Sequence, residues 1–239
     1  LFIALLPFVF VTPIEAGPPA IPSNGAYWAV SLGTYGNNPS TNTLANFEAN
    51  VSGRKLDGFH FFKSWGDALP TQDIRDSEAQ GRLPLVNWKP SVSWAQIANG
   101  SQDAVIDARA DAFKAWGKPV ILGIHHEPEN DISSHGSPAE YRAAWQRVVN
   151  RFRAKGVTNV SFMWIMMDWT FNPKSGRNPN EWYPGDDYID WLGADSYNFY
   201  VRDGQWREFK DVAGYFYTWA TQGKAGSHTK PLAVPEWGS

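Results

Sequence analysis

The sequence predicts an α/β protein of the (β/α)8 TIM-type barrel class, with the seventh strand falling at the last residues and the eighth missing. Three observations carry this. Apolar or aromatic runs recur at Ala26–Gly33, Gly58–Trp65, Leu83–Lys89, Val120–His126, Val160–Trp169, Trp191–Asn198 and Pro231–Trp237. Amphipathic segments separate most of them, the alternation expected of βα units around a parallel sheet. Two runs also end in a glutamate, Glu127 and Glu236, placing one carboxyl at each of two strand tips. In a parallel α/β fold the carboxyl-terminal tips open onto the ligand-binding face.

Element by element, residues 1–23 stand apart. Leu1 to Val11 is an apolar run too short to span a bilayer, which takes about 20 residues, but suited to the central region of a signal peptide. Residues 1–23 are therefore read as a signal-peptide remnant, cleaved near Ala16, and a linker stiffened by Pro18, Pro19 and Pro22. That implies a secreted protein. Residues 24–239 form the barrel domain. Among the helices, Pro138–Lys155 has the clearest signals. Ser137 is the N-cap, Glu140 completes a capping box and Gly156 follows the last turn, while Tyr141, Trp145, Val148, Val149 and Phe152 share a face. Asp103–Trp116 has an inner stripe of Val105, Ile106, Phe113 and Trp116, stopped by Gly117.

Composition narrows the function classes. A net charge of −3 with 19% charged residues gives no reason to expect nucleic acid or an anionic membrane as partner. With no cysteine, disulfides, thiolate catalysis and thiolate metal ligands are excluded. The 13 tryptophans suit a protein that stacks rings on sugars, although core packing claims many of them. Trp65, Trp88 and Trp169 sit at predicted strand tips and are candidates for a cleft wall, as is Trp237 beside Glu236; Trp116 and Trp145 are assigned to the core. The loop Asn172–Asp187 is long enough to border a cleft.

Paired carboxyls at the tips are what glycosidic bond cleavage requires. A retaining enzyme needs one protonated carboxyl to serve the leaving oxygen and one ionised carboxyl to attack, about 5 Å apart. Glu127, emerging from a buried strand, is expected to be the acid/base, and Glu236 the nucleophile, kept charged by donors such as His126 and Tyr197. Two other classes compete. One is a metal centre built from His125, His126, Glu127, Glu129 and Asp131 with His60; adjacent histidines on a strand face opposite ways, and the His-Glu-x-x-His helix pattern is absent. The other is a non-catalytic polysaccharide-binding barrel, against which both carboxyls are retained.

His126-Glu127 at the fourth tip, Asp195-Ser-Tyr197 at the sixth and Glu236-Trp-Gly238 at the seventh resemble glycoside hydrolase family 26 over roughly Tyr27 to Gly238. In related barrel glycosidases an Asn commonly precedes the acid/base, and His in that place points to this family. The resemblance implies a retaining (β/α)8 glycosidase without a cofactor or catalytic metal, acting as a monomer on a polysaccharide. Glu127 would be the acid/base, Glu236 the nucleophile, Tyr197 its hydrogen-bond partner and His126 an orienting residue. The family contains mainly β-mannanases, with some β-1,3-1,4-glucanases and β-1,3-xylanases. An endo-acting β-1,4-mannanase is the first expectation and the other two polymers are the alternatives. Gly123-Ile-His125 stands here where the mannanases usually carry Arg-Pro, which leaves the polymer open.

Overall fold

The computed structural model describes residues 17–32, 44–222 and 230–238. The expected signal-peptide run lies outside these residues, as does Gly33. Strands β1 (Ala29–Val30), β2 (Gly58–Ser64), β3 (Leu83–Lys89), β4 (Val120–Ile124), β5 (Val160–Met167), β6 (Trp191–Tyr197), β7 (Leu232–Ala233) and β8 (Trp237–Gly238) form one parallel sheet, in the order β1 to β7. β8 continues the last chain pass and pairs with β6. Among the described residues there are thus seven passes, matching the seven expected, and all six neighbouring pairs from β1 to β7 are parallel.

Helices α1 (Leu44–Phe47), α2 (Gln72–Ala79), α3 (Trp94–Ala98), α4 (Asp103–Trp116), α5 (Ile132–His135), α6 (Pro138–Ala154), α7 (Asp168–Phe171), α8 (Tyr200–Asp203) and α9 (Phe209–Gln222) occupy the connections. In α6 the Ser137 hydroxyl accepts from the Glu140 backbone N–H while the Glu140 carboxylate accepts from the Ser137 N–H, as expected of the capping box. Loss of such a cap costs about 1 kcal/mol. Arg147 and Arg151 bridge from α6 to Asp103 and Asp107 of α4, fastening neighbouring helices on the outer surface.

Strand alternation divides the core in two. Val86, Trp88, Leu122, Ile124, Phe162, Trp164, Leu192 and Ala194 face the helices. Leu85, Ile121, Met163, Ile165 and Trp191 face the interior of the curled sheet. One layer nearer the tips, Ile165 is flanked by Gly123 and Gly193. A Cβ on Gly193 would lie 2.8 Å from Pro235 Cγ and 3.1 Å from Ile165. Both glycines leave space for larger neighbours in a close-packed interior. Gly193→Ala is expected to cost roughly 1–3 kcal/mol in a urea unfolding titration, with the strain falling on Pro235.

The first run is shorter than expected: only Ala29–Val30 is strand, paired on one side with β2. The seventh run is interrupted. Gly193 pairs with Ala233 and Ser196 with Trp237, so three steps along β6 are matched by four along the last pass. The extra residue makes a bulge around Pro235, which has no N–H to give to a ladder.

Candidate active site

Both glutamates reach the same mouth because the backbone departs from regular strand geometry just before each. On β4, Ile121 and Gly123 face inward, so unbroken alternation would turn His125 inward too. Instead His125 has φ +53° and Glu127 φ +49°. The left-handed turn at His125 reverses the alternation. His125 goes into the helix layer, where its Nδ1 accepts from Trp94 Nε1 at 3.0 Å and its Nε2 donates to Asp131 Oδ2 at 2.8 Å. His126 goes into the mouth, with its ring centroid 5.3 Å from that of Phe62 and its Nε2 3.6 Å from Glu236 Oε1. The two histidines thus face opposite ways, as expected; the turn decides which faces in.

The bulge does the same for the last pass. Ala233 and Pro235 face the interior, yet beyond the bulge Gly238 is the partner of inward-facing Tyr197 and Trp237 the partner of outward-facing Ser196. Glu236 therefore turns inward, and its Oε2 accepts from the Tyr197 hydroxyl at 2.8 Å. Its main-chain carbonyl accepts from Ser196 N at 2.8 Å, which fixes the bulge against β6.

The two carboxyls have unlike surroundings. Burial raises Glu127 to about 7, with the charges of Glu236 and Glu129 adding to it, and its one side-chain donor among the described residues is the Asn130 amide at 3.2 Å. Burial also raises Glu236, but the Tyr197 hydroxyl opposes that shift. Tyr197 is itself raised by burial and by Glu236, so it remains a protonated donor. Of the pair, Glu127 is the better holder of a proton and Glu236 of the charge. His126, lowered to about 4 by burial, is neutral at pH 7.

Three carboxyl or aromatic groups join the site that the sequence reading left without a role. Asp195 is 1% exposed, its carboxyl has no hydrogen-bond partner among the described residues, and burial raises it well above the usual carboxylate range, with Glu236 and Glu127 adding. Asp168, at the start of α7, is raised to about 6 by burial. Phe62 exposes its ring beside His126. Asp195 and Phe62 were legible in principle, since both occupy inward positions of their strands. Asp168 was marked only by its place next to Trp169.

The tryptophans divide. Trp169 is 40% exposed and lines a cleft of about 380 Å³ with Asp168, Tyr197, Phe199 and Arg207. Trp65 and Trp88 do not line it, contrary to expectation. Trp88 occupies an outward position of β3 and is fully buried, its ring stacked at 3.9 Å on Trp65 and its Nε1 donating to the Trp65 carbonyl. Trp237 is corrected as well: the bulge turns it from the mouth, and its exposed ring meets Phe209 of α9 edge-on. Trp145 is buried and Trp116 packs against the same core. The loop Asn172–Asp187 packs on α6, through Gln146 to the Pro184 carbonyl, and on α3, through a buried Trp182 against Trp94.

The metal alternative does not fit the donors. Among the described residues His125, Asp131 and His135 gather within 4.8 Å, without His126, Glu127 or His60. An indole N–H only donates, so Trp94 fixes His125 Nδ1 as acceptor and places the ring proton on Nε2, the nitrogen a cation would need. Lys89 Nζ already lies 2.7 Å from Asp131. His60 is buried on β2, lowered to about 3, with its ring against Phe62.

The model of the family described as glycosyl hydrolase family 26 matches residues 80–231. The chain belongs to glycosyl hydrolase family 26. Among curated relatives, Endoglucanase H of Acetivibrio thermocellus is 32% identical over 218 residues, covering 85% of this chain and 23% of that protein. Beta-1,3-xylanase TXYA of Vibrio sp is 29% identical over 141 residues, 59% of this chain and 28% of that protein. The family 26 chain described here thus spans about a quarter of the length of these relatives. Among solved structures, a β-mannanase of family 26 from Bacteroides ovatus superposes with a TM-score of 0.60 at 20% identity, over 86% of this chain and 68% of that one. A modular endo-β-1,4-mannanase from Cellulomonas fimi gives 0.54 at 17% identity, over 88% and 64%. At these identities the likeness concerns the fold, and it agrees with the barrel class expected from the sequence.

Proposed function

We propose that this family 26 chain is the catalytic unit of a retaining, endo-acting glycoside hydrolase that cuts a β-linked polysaccharide. The observation that carries the reading is the asymmetric pair at one mouth: a half-buried Glu127 raised to about 7 and a Glu236 held by the Tyr197 hydroxyl. Glu127 donates its proton to the leaving glycosidic oxygen as Glu236 attacks the anomeric carbon. Glu127 then takes a proton from the water that releases the sugar. The barrel-type fold alone would also suit a polysaccharide-binding protein, and the pair is what favours catalysis.

The polymer is the finer question. Mannan was the first expectation from sequence, but the 32% identity to an endoglucanase over most of the chain favours a β-glucan, with mannan and β-1,3-xylan as the other candidates. Release of reducing ends from mixed-linkage glucan, mannan and β-1,3-xylan ranks them, and proton NMR of the first product distinguishes retention from inversion. An inverted product, or no hydrolysis of any of the three, refutes the proposal. A polymer too large to enter a cell requires an exported enzyme, consistent with the apolar run at Leu1 to Val11.

The cleft beside the pair is the path for neighbouring sugar units. Trp169 offers an exposed ring, and Asp168 and Arg207 offer an acceptor and donors to hydroxyls. Trp169→Ala is expected to raise KM about tenfold, in line with ~1–2 kcal/mol of lost ring stacking, with kcat changed less; initial rates on the preferred polymer check this.

A further inference from the structure

Glu129 is 4% exposed, two residues beyond Glu127, and has so far entered only through the effect of its charge on Glu127. Its Oε1 accepts from the Met167 backbone N–H at 2.8 Å and from the Thr170 hydroxyl at 2.6 Å. Thr170 lies in α7 and is buried, while Met167 is the last residue of β5. The other carboxyl oxygen, Oε2, has no hydrogen-bond partner among the described residues.

Regular pairing between β4 and β5 ends at Leu122 with Phe162. Beyond that point the two chains are joined first by Glu127 N donating to the Ile165 carbonyl at 3.1 Å, then by the Glu129 carboxyl on Met167 N. A side chain thus continues the link between the two segments beyond the point where strand pairing stops. Left-handed backbone at a non-glycine residue costs roughly 1–2 kcal/mol and persists only where its surroundings hold it. The Glu129 bonds lie on the far side of Glu127 from His125, so the turn is held at both ends.

We infer that Glu129 is a positioning residue for the acid/base: its carboxyl fastens the turn at Glu127-Pro128-Glu129 to the end of β5 and so fixes the direction from which Glu127 presents its proton. This rests on the reading of Glu127 as acid/base. A buried carboxyl carries a desolvation cost that an apolar side chain would avoid, and the two donors it joins lie on the segment facing Glu127.

The test compares Glu129→Ala, Glu129→Gln, Thr170→Val and Glu127→Ala on two substrates, after circular dichroism and thermal melts establish which variants fold. One is the preferred polymer, whose leaving sugar needs a proton. The other is 2,4-dinitrophenyl β-cellobioside, or the β-mannobioside where mannan is the polymer cut, whose leaving group needs none. Glu129→Ala is expected to lower kcat on the polymer about 100-fold with KM within about threefold, while kcat/KM on the aryl glycoside changes less than about threefold. Glu129→Gln keeps the accepting oxygen and is expected to recover polymer activity to within about fivefold of the parent. Thr170→Val removes one donor at nearly constant volume and should give a smaller loss with the same substrate dependence. It keeps the test open if Glu129→Ala does not fold. Equal losses on both substrates in the folded Glu129 or Thr170 variants, beside a leaving-group-dependent loss in Glu127→Ala, overturn the inference and leave the acid/base reading standing. A loss in Glu127→Ala that does not depend on the leaving group overturns that reading and the inference with it.

Discussion

Glu236→Ala is expected to lower hydrolysis of the preferred polymer by on the order of 10⁴–10⁶-fold, with the thermal unfolding midpoint near that of the parent. The reason is chemical: without the carboxylate no covalent glycosyl-enzyme forms, and no neighbouring group is placed to replace it. Burial is the leading cause of the raised pKa of both Asp195 and Glu127, and it persists when Glu236 is removed, so each favours the neutral form that cannot attack. Trapping with a 2-fluoro glycoside carrying a good leaving group, followed by mass spectrometry of the digest, should label Glu236 in the parent and no residue in the variant. A label on any other carboxyl, or near-parental turnover by Glu236→Ala, excludes Glu236 as nucleophile. Tyr197→Phe should have a smaller effect, of about tenfold, because it removes one hydroxyl donor to the ionised form of Glu236 and retains the ring.

The second large effect is expected at Glu127. Glu127→Ala should lower kcat on the polymer by roughly 10²–10⁴-fold and abolish one limb of the pH profile. Burial is the leading cause of the raised pKa of Glu127, and the negative charges of Glu236, Glu129 and Asp168 act in the same direction. In the parent, activity rises with pH as Glu236 loses its proton and falls as pH passes about 7, where Glu127 loses the proton it must donate. The falling limb therefore belongs to Glu127. On an activated aryl glycoside the first step no longer needs that proton, so the limb should vanish even in the parent. Azide, which attacks without base assistance, should speed release of the sugar from Glu127→Ala. A falling limb retained in Glu127→Ala on the polymer would assign it to another group, with Asp168, raised to about 6, the first alternative.

Much of the fold could be read from residue order. The capping box at Ser137 and Glu140 starts α6 where local chemistry says it should, and Gly117 ends α4 in the left-handed conformation that glycine adopts without strain. These features are local, and tertiary packing had no reason to override them. The candidate aromatics fared less well. Trp65 and Trp88 lie near strand tips, but proximity to a tip does not determine facing, and neither lines the cleft. Trp88 is an outward residue of β3, and strict alternation counted from the interior-facing Leu85 would have placed it there. That signal was present in the sequence. For Trp237 it was not, because the count is interrupted by a bulge that no composition or periodicity announces.

Taken alone, the sequence determined the order of seven parallel passes, the two main outer helices and the placing of Glu127, Tyr197 and Glu236 at strand tips. Each follows from hydrophobic period, capping residues or chemistry confined to a few neighbouring positions. Only the tertiary structure decided which side chains face the mouth beyond the breaks at His125 and Pro235. Strand facing changes sign with every residue, so the left-handed residues His125 and Glu127 and the extra residue at Pro235 each interrupt the count. Those interruptions are held by partners far away in sequence: Trp94 on His125, Met167 on Glu129, Ser196 and Tyr197 on Glu236. Such bonds exist only once the sheet has curled and brought the tips of β4, β5 and β6 together with the last pass.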